Sequence, residues 1–536
     1  MQRTYQNLRF SWAFRALALC LLLAAASCAS FAAILRVQSD APGPAHDGTT
    51  WATAYTAIQP AIDVAASGDE VWVAMGVYTG VITMKTGVAL YGGFAGDETA
   101  RDGRDFRANN TTIDGRKFVN NAQVRASAVT FPATANAATI LDGFTVMNGS
   151  GTAVFHGQTC TGGICTDQYW LHGGGVNIAG GTPVIRNNTI TNSGPVEGVP
   201  PALGAVNYKI LGWRGGGVFV AAGGNPVIQA NTISANLLDE FNNRSLRMDH
   251  GGGIYATTGS NPLIVDNTIT GNEAVHGGGI FIEGTARILR NRILLNRAFG
   301  QVHISGHSYE PVGDGGGIYC GSNATVVGNI IAENRAIVGA DGIHTPFQAG
   351  TGVLVNNTLV RNGQANLHKF SNVYFNGRLI ANNIIAYNEG RVFAPASTVL
   401  SHNNVFGNGT DYDSGVLHPT DIQADPLFVD KDNGDYHLRQ GSPCVDAGDD
   451  TVDAGETDLD AEPRHSGAHI DIGAYEFPAP VVFTMSDARR ALTIAAGLEA
   501  MTAADAPLGA AADPNPVDLS DALAILREVV GLAPNP

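Results

Sequence analysis

The chain has 536 residues, 44% of them hydrophobic and only 15% charged, and glycine alone accounts for 67. Lys+Arg 31 against Asp+Glu 48 leaves a net charge of −17, the wrong sign for following a phosphate backbone, so nucleic acid is excluded from the expected partners. The apolar content excludes a disordered acidic tail, and so much glycine without a Gly-X-Y period excludes collagen and points to many tight turns.

Residues 1–32 read as a signal peptide. Arg3, Arg9 and Arg15 precede an apolar run from Ala16 to Ala26 that is too short to span a bilayer, and Ser30-Phe31-Ala32 suits a signal peptidase. Cys28 offers lipidation as the alternative, but alanine rather than leucine three residues before it makes a poor lipobox. The expectation is a secreted or cell-surface protein without a transmembrane span. In an oxidising compartment Cys160 and Cys165, in Cys-Thr-Gly-Gly-Ile-Cys, close a small disulfide loop, whereas Cys320 and Cys444 read as buried thiols.

An internal repeat decides the fold. Gly173-Gly174-Gly175-Val176 recurs at Gly215, Gly251, Gly277 and Gly315, and Gly350-Thr351-Gly352-Val353 reads as a sixth copy. Each copy leads to an Asn-x-Ile-like strand, beginning at Asn188, Asn231, Asn267, Asn291, Asn329, Asn357, Asn383 and Asn404. A second asparagine usually follows five residues later, as at Asn236, Asn272 and Asn296. Asn267 to Asn291 is 24 residues, room for two or three short strands and their turns but not for crossover helices. Such units must coil and stack parallel strands on their neighbours, which predicts an all-β parallel β-helix. The asparagines then form ladders along the axis, and their tolerance of left-handed backbone suits the turns.

These residues resemble the right-handed parallel β-helix repeat proteins of the pectin-lyase-like superfamily, over nearly all of 35–477. The entry segment is similar too, with Asp47-Gly48-Thr49-Thr50-Trp51, a short helix expected from Ala57 to Ala66 to plug the open end, and Gly68-Asp69-Glu70-Val71-Trp72. Asp425-Pro426-Leu427-Phe428, Ser442-Pro443-Cys444-Val445-Asp446 and Ile470-Asp471-Ile472-Gly473-Ala474-Tyr475-Glu476 resemble the choice-of-anchor Q terminus of bacterial surface and secreted β-helices. The expected domains are a signal peptide at 1–32, the β-helix with its N-terminal cap at 33–424, an anchor-like cap at 425–477 and a tail at 478–536.

Long spacings, such as the 43 residues from Asn188 to Asn231, place insertions between the second strand and the next glycine triplet, so loops emerge on one face. They carry candidate substrate-binding residues: Trp213, Arg247, Asp249, His307, Tyr309 and Glu310. Rings stack on pyranose faces, and acids and amides bind hydroxyls. The residue before each triplet makes a column of His172, Arg214, His250, His276 and Asp314, read as continuing to Ala349. As chemistry, Arg214, His250, His276 and Asp314 are acid–base candidates; as structure, they are a polar turn column beside close-packed glycines. The resemblance supplies no catalytic motif that carries across residue by residue. Two function classes follow: a carbohydrate-binding or adhesive protein contacting an extracellular polysaccharide or cell-surface glycan, or a polysaccharide lyase or glycoside hydrolase at the same face.

The last sixty residues repeat Ser-Asp-Ala…Gly-Leu, from Ser486 and from Ser520, with each serine as an N-cap and an apolar stripe of Leu523, Leu526 and Val530. This resembles a duplicated dockerin-like module, which implies a protein partner. Its calcium loops are degenerate: counting back from Asp521 puts Ala510, Ala512 and Pro514 at ligand positions, and Pro480–Thr484 contains no acid. The expectation is therefore a metal-free docking tail and no cofactor.

Overall fold

The computed structural model describes residues 32–120, 122–161, 164–196, 199–200, 207–237, 249–303, 309–346, 350–363, 371–412, 417–478, 485–495 and 523–525. Nearly all the signal segment and the Ser520, Leu526 and Val530 signals lie outside them.

Three-residue strands dominate because each coil needs only one or two side chains per strand to fill the interior. Strands Leu263–Val265, Thr268–Thr270 and Ile280–Ile282 make one coil, and Arg287–Leu289, Arg292–Leu294 and Ile318–Cys320 the next. Parallel register puts Ile264 on Ile288, Ile269 on Ile293 and Ile280 on Ile318. All six are fully buried, so the core is a set of aliphatic columns. Repetition builds a twelve-stranded sheet A, which contains Leu263–Val265, and two eleven-stranded sheets, B with Thr268–Thr270 and C with Ile280–Ile282, among the described residues. The chain is a right-handed parallel β-helix, the hand that parallel crossovers take.

Two asparagine ladders run between the sheets. In the first, the Oδ1 of Asn291 accepts both the backbone N–H and the Nδ2 of Asn267 at 2.9 Å, and Asn329 does the same for Asn291 at 2.8 and 3.0 Å. The ladder asparagines are buried and do not themselves adopt the left-handed turn. The residue before each one does: Asn187, Ala230, Asp266 and Arg290 all have φ between 49° and 58°. At the end of the first ladder the chain uses Asn403, not Asn404, as the acceptor for Asn383. Asn404 instead donates from Nδ2 to the Ala424 carbonyl, because Val405 is the residue aligned with core Ile385.

The glycine triplets answer two constraints. Gly277 has φ 61°, and a Cβ on Gly279 would lie 2.6 Å from the Gly317 carbonyl oxygen of the next coil. The insertions emerge just before these triplets. The first is a hairpin of Thr152–Thr161 and Ile164–His172, closed near its tip by the Cys160–Cys165 disulfide, with Tyr208–Arg214 as third strand.

Helix α1 (Ile58–Val64) buries Ile58, Ala61 and Ile62 against the first strands and closes the N-terminal end. At the other end, residues 425–476 fold back on the coil through the hairpin Phe428–Asp430/Asp435–Leu438 and the fully buried Arg464. Contacts divide the chain at Glu476/Phe477. In the second unit, helix α2 (Met485–Ala495) takes Ser486 inside its first turn rather than as its N-cap. Among the described residues no helix is long and apolar enough to cross a membrane.

Candidate functional site

His172 pairs with Arg214, Arg214 with His250, His250 with His276, and His276 with Asp314, so these five side chains form one column across successive coils. The column continues to Ala340; Ala349 lies outside the described residues. The amides of Gly315 and Gly316 donate to the Ala340 carbonyl, and Ile318 pairs with Ile343. Asp341 occupies the place of a glycine, which hides this copy of the repeat. Val353, after the Gly350 motif, pairs with Thr325 in sheet A instead.

Beside the column, one ring from each of seven sheet C strands faces away from the aliphatic interior and stacks on the next. Phe219, Tyr255, Phe281, Tyr319, His344, Tyr374 and Phe393 follow one another with ring centroids 5.6, 5.4, 4.6, 5.1, 5.1 and 4.4 Å apart. Their planes differ by at most 16°. Parallel coils impose this, since equivalent side chains sit one strand spacing apart. The rings therefore occupy one another's faces; Phe219, Tyr255 and Phe281 are buried, and only the half-buried Tyr319, His344, Tyr374 and Phe393 reach the surface. The column leans on them: His172 stacks on Phe219 at 4.0 Å and His250 meets Phe281 at 4.5 Å. Arg214 lies 4.1 Å over Trp170 of the hairpin and 5.4 Å over Tyr255, making a wall beside the strip.

Burial sets the charge state. It pulls His172 down to about 4, aided by Arg214, and His250 down to about 3, aided by His276 and Arg214, so both are neutral at pH 7. Burial also lowers His276, against the opposing Asp314 carboxylate 3.7 Å away. Among the described residues, five buried nitrogens here have no hydrogen-bond partner: His172 Nε2, Arg214 Nε, and the Nδ1 atoms of His250, His276 and His344.

This gives a pH prediction. Unfolded His250 takes a proton near 6.5 and folded His250 only near 3, so its contribution is lost as pH falls through that window. Asp341 and Glu476, raised by burial to about 7, push the other way, so the readout must be a difference between variants. The stability of wild type minus His250→Phe should fall by about 1.4 kcal/mol per pH unit between pH 6 and 4. A pH-independent difference in denaturation midpoints would show that His250 is not held neutral.

The proposed sugar contacts fare differently. Trp213 is fully buried among Leu171 and Ala274 and cannot stack on a ligand. Its strand, Tyr208–Arg214, pairs with Ile164–His172 of the hairpin, in an insertion whose sequence reads as loop. Asp249, 3% exposed, accepts the Trp213 backbone N–H at 2.8 Å, so its carboxylate is structural. Arg247 and His307 lie outside the described residues; Tyr309 and Glu310 lie on the strand Tyr309–Val312, their side chains outside the described set. Trp170 and the outer rings were missed, although Gly-Val-Phe219, Gly-Ile-Tyr255, Gly-Ile-Phe281 and Gly-Ile-Tyr319 display the ring after four of the five triplets. Among the described residues no group of three or more His, Cys, Asp or Glu could hold a metal ion.

Two family models match the chain: "Right handed beta helix region" over residues 127–314 and "Disaggregatase related" over residues 389–455. No curated protein matches it. Among solved structures it is similar to pectate lyase Pel9A, at 14% identity and TM-score 0.47, over 83% of this chain and 96% of that one. It is also similar to XylC in complex with xylose, at 12% identity and TM-score 0.35, over 83% and 99%. A PL6 family alginate lyase, AlyGC, aligns at 12% identity and TM-score 0.26, over 71% and 54%. These likenesses concern the coil, and no residue role is taken from them.

Proposed function

We propose that this is a secreted or cell-surface protein that binds a polysaccharide along the outer strip of sheet C without cleaving it. The observation that carries the reading is the row of stacked rings whose half-buried members Tyr319, His344, Tyr374 and Phe393 reach the surface, continued by the buried Phe281, Tyr255 and Phe219 toward Trp170 and Arg214. A strip that repeats with every coil suits a ligand with its own repeat, and the net charge of −17 disfavours a nucleic acid. Ring edges carry the positive end of the aromatic quadrupole, so a stack seen edge-on attracts hydroxyl oxygens. The disulfide at the hairpin tip supports export. The 425–477 segment serves as an anchor-like cap, and the tail as a calcium-independent docking or anchoring module.

The His276–Asp314 contact favours one second reading, a lyase or hydrolase in which neutral His276 takes a proton. Incubating the purified chain with a polysaccharide panel, with and without a calcium chelator, separates the two. Binding should survive chelation and yield no new reducing ends or unsaturated products. Product whose formation falls a hundredfold or more in both His276→Ala and Asp314→Ala would establish the enzyme instead.

A further inference from the structure

A cleft of about 580 Å³ opens on a different face, at the corner between sheets A and B, and the strip on sheet C does not use it. Phe106, Arg107 and Asn110 form its wall, and Thr145, Thr189 and Thr232 lie along its floor. The floor follows from the coil: these threonines are the first, outward-facing residues of successive sheet B strands, paired in register. Thr145 donates to Asn110 Oδ1 at 2.8 Å, whereas Thr189 is half-buried and Thr232 exposed at the surface of the cleft.

The wall is built rather than draped. Arg104 is tied to Asp142 at 2.8 Å and to the Gly92 carbonyl at 2.8 Å. The Asp105 carboxylate accepts the backbone N–H groups of Arg107 and Ala108 at 2.9 and 3.0 Å, closing a tight turn. Two glycines let this strap approach: a Cβ on Gly93 would meet Phe106 Cα at 2.4 Å, and one on Gly143 would meet Phe106 Cβ at 3.0 Å. The turn therefore fixes where Arg107 projects: its exposed guanidinium lies 6.0 Å from the centroid of the Phe106 ring and makes no ion pair among the described residues.

From the ring wall, the row of hydroxyls and a guanidinium that stands over the ring without an ion pair among the described residues, we infer a binding site for a single sugar unit carrying an anionic substituent. The ring offers an apolar surface to a pyranose, the threonine hydroxyls exchange hydrogen bonds with its own, and Arg107 pairs with the anion. The volume lies within the range of small-ligand pockets, ~300–1,000 Å³.

The test is titration of the full chain with glucuronate, glucose and inorganic sulfate, followed by saturation-transfer NMR or calorimetry. Glucuronate should bind at least tenfold more tightly than either glucose or sulfate. Arg107→Ala should abolish that preference, Arg107→Lys should retain part of it, and Thr189→Val should weaken glucuronate severalfold. Both positions face solvent, so thermal midpoints should stay at the wild-type value. Equal binding of glucose would remove the anionic requirement, equal binding of sulfate would remove the sugar, and an unchanged preference in Arg107→Ala would remove the site; each overturns the inference.

Discussion

Asn291→Ala should destabilise the solenoid by about 3–5 kcal/mol, seen as a large drop in denaturant midpoint. Truncation removes the acceptor for both the N–H and the Nδ2 of Asn267, and removes the donor to the carbonyls of Ile264 and Leu289. It also breaks the bond from Asn291 Nδ2 to Asn329 Oδ1. Asn291 and Asn329 are 0% exposed, so no water replaces these partners. Each buried group left unpaired costs about 1–3 kcal/mol; the Asn267 N–H loses its acceptor and the Ile264 and Leu289 carbonyls each lose a donor, whereas Asn267 Nδ2 keeps the Ile228 and Val265 carbonyls. Arg292→Ala, one residue along on the outer face, should cost less. A ladder substitution costing under about 1 kcal/mol would mean that the aliphatic columns, not the amides, hold the register.

The second large effect is at the C-terminal cap, where Arg464→Met should cost about 3–5 kcal/mol. The Arg464 and Glu476 side chains are 0% and 1% exposed and lie 3.0 Å apart. Arg464 also donates to the carbonyls of Gly473 and Ala474, and Glu476 accepts the Asp471 N–H. Burial, aided by the nearby Asp471, pushes Glu476 up to about 7 even beside the guanidinium. Without Arg464 a carboxylate would be left uncompensated in the interior. Pairing the change with Glu476→Leu should recover much of the loss, because a buried ion pair contributes little beyond offsetting its own desolvation. The check is urea unfolding of the two variants with limited proteolysis of residues 425–476. A single variant as stable as wild type would show that the pair does not pin the cap.

The coil was legible because its signals are local and repeated. Glycine triplets mark close approach between coils, and single isoleucines between asparagines mark the inward position. Where a copy broke the pattern, the reading slipped. Asp341 in a glycine position hid the sixth pre-sheet turn, and the doubled Asn403-Asn404 shifted the ladder by one. The insertions were harder, since nothing local distinguishes a loop from a strand that pairs only with other insertions. Trp213 looked like a surface ring for that reason and proved to be core. The pre-glycine column was correctly placed by spacing from His172 to Asp314, but its charge state depends on the outer rings packed against it.

The central claim, that the ring strip of sheet C holds a polysaccharide, is tested most directly by affinity electrophoresis of wild type and Trp170→Ala against each glycan the wild type retains. Trp170 is half-buried on the hairpin and carries Arg214 against the strip, outside the aliphatic core. The expected result is at least tenfold weaker retention of Trp170→Ala at an unchanged thermal midpoint. Equal retention of the two proteins would contradict the assignment of binding to this face.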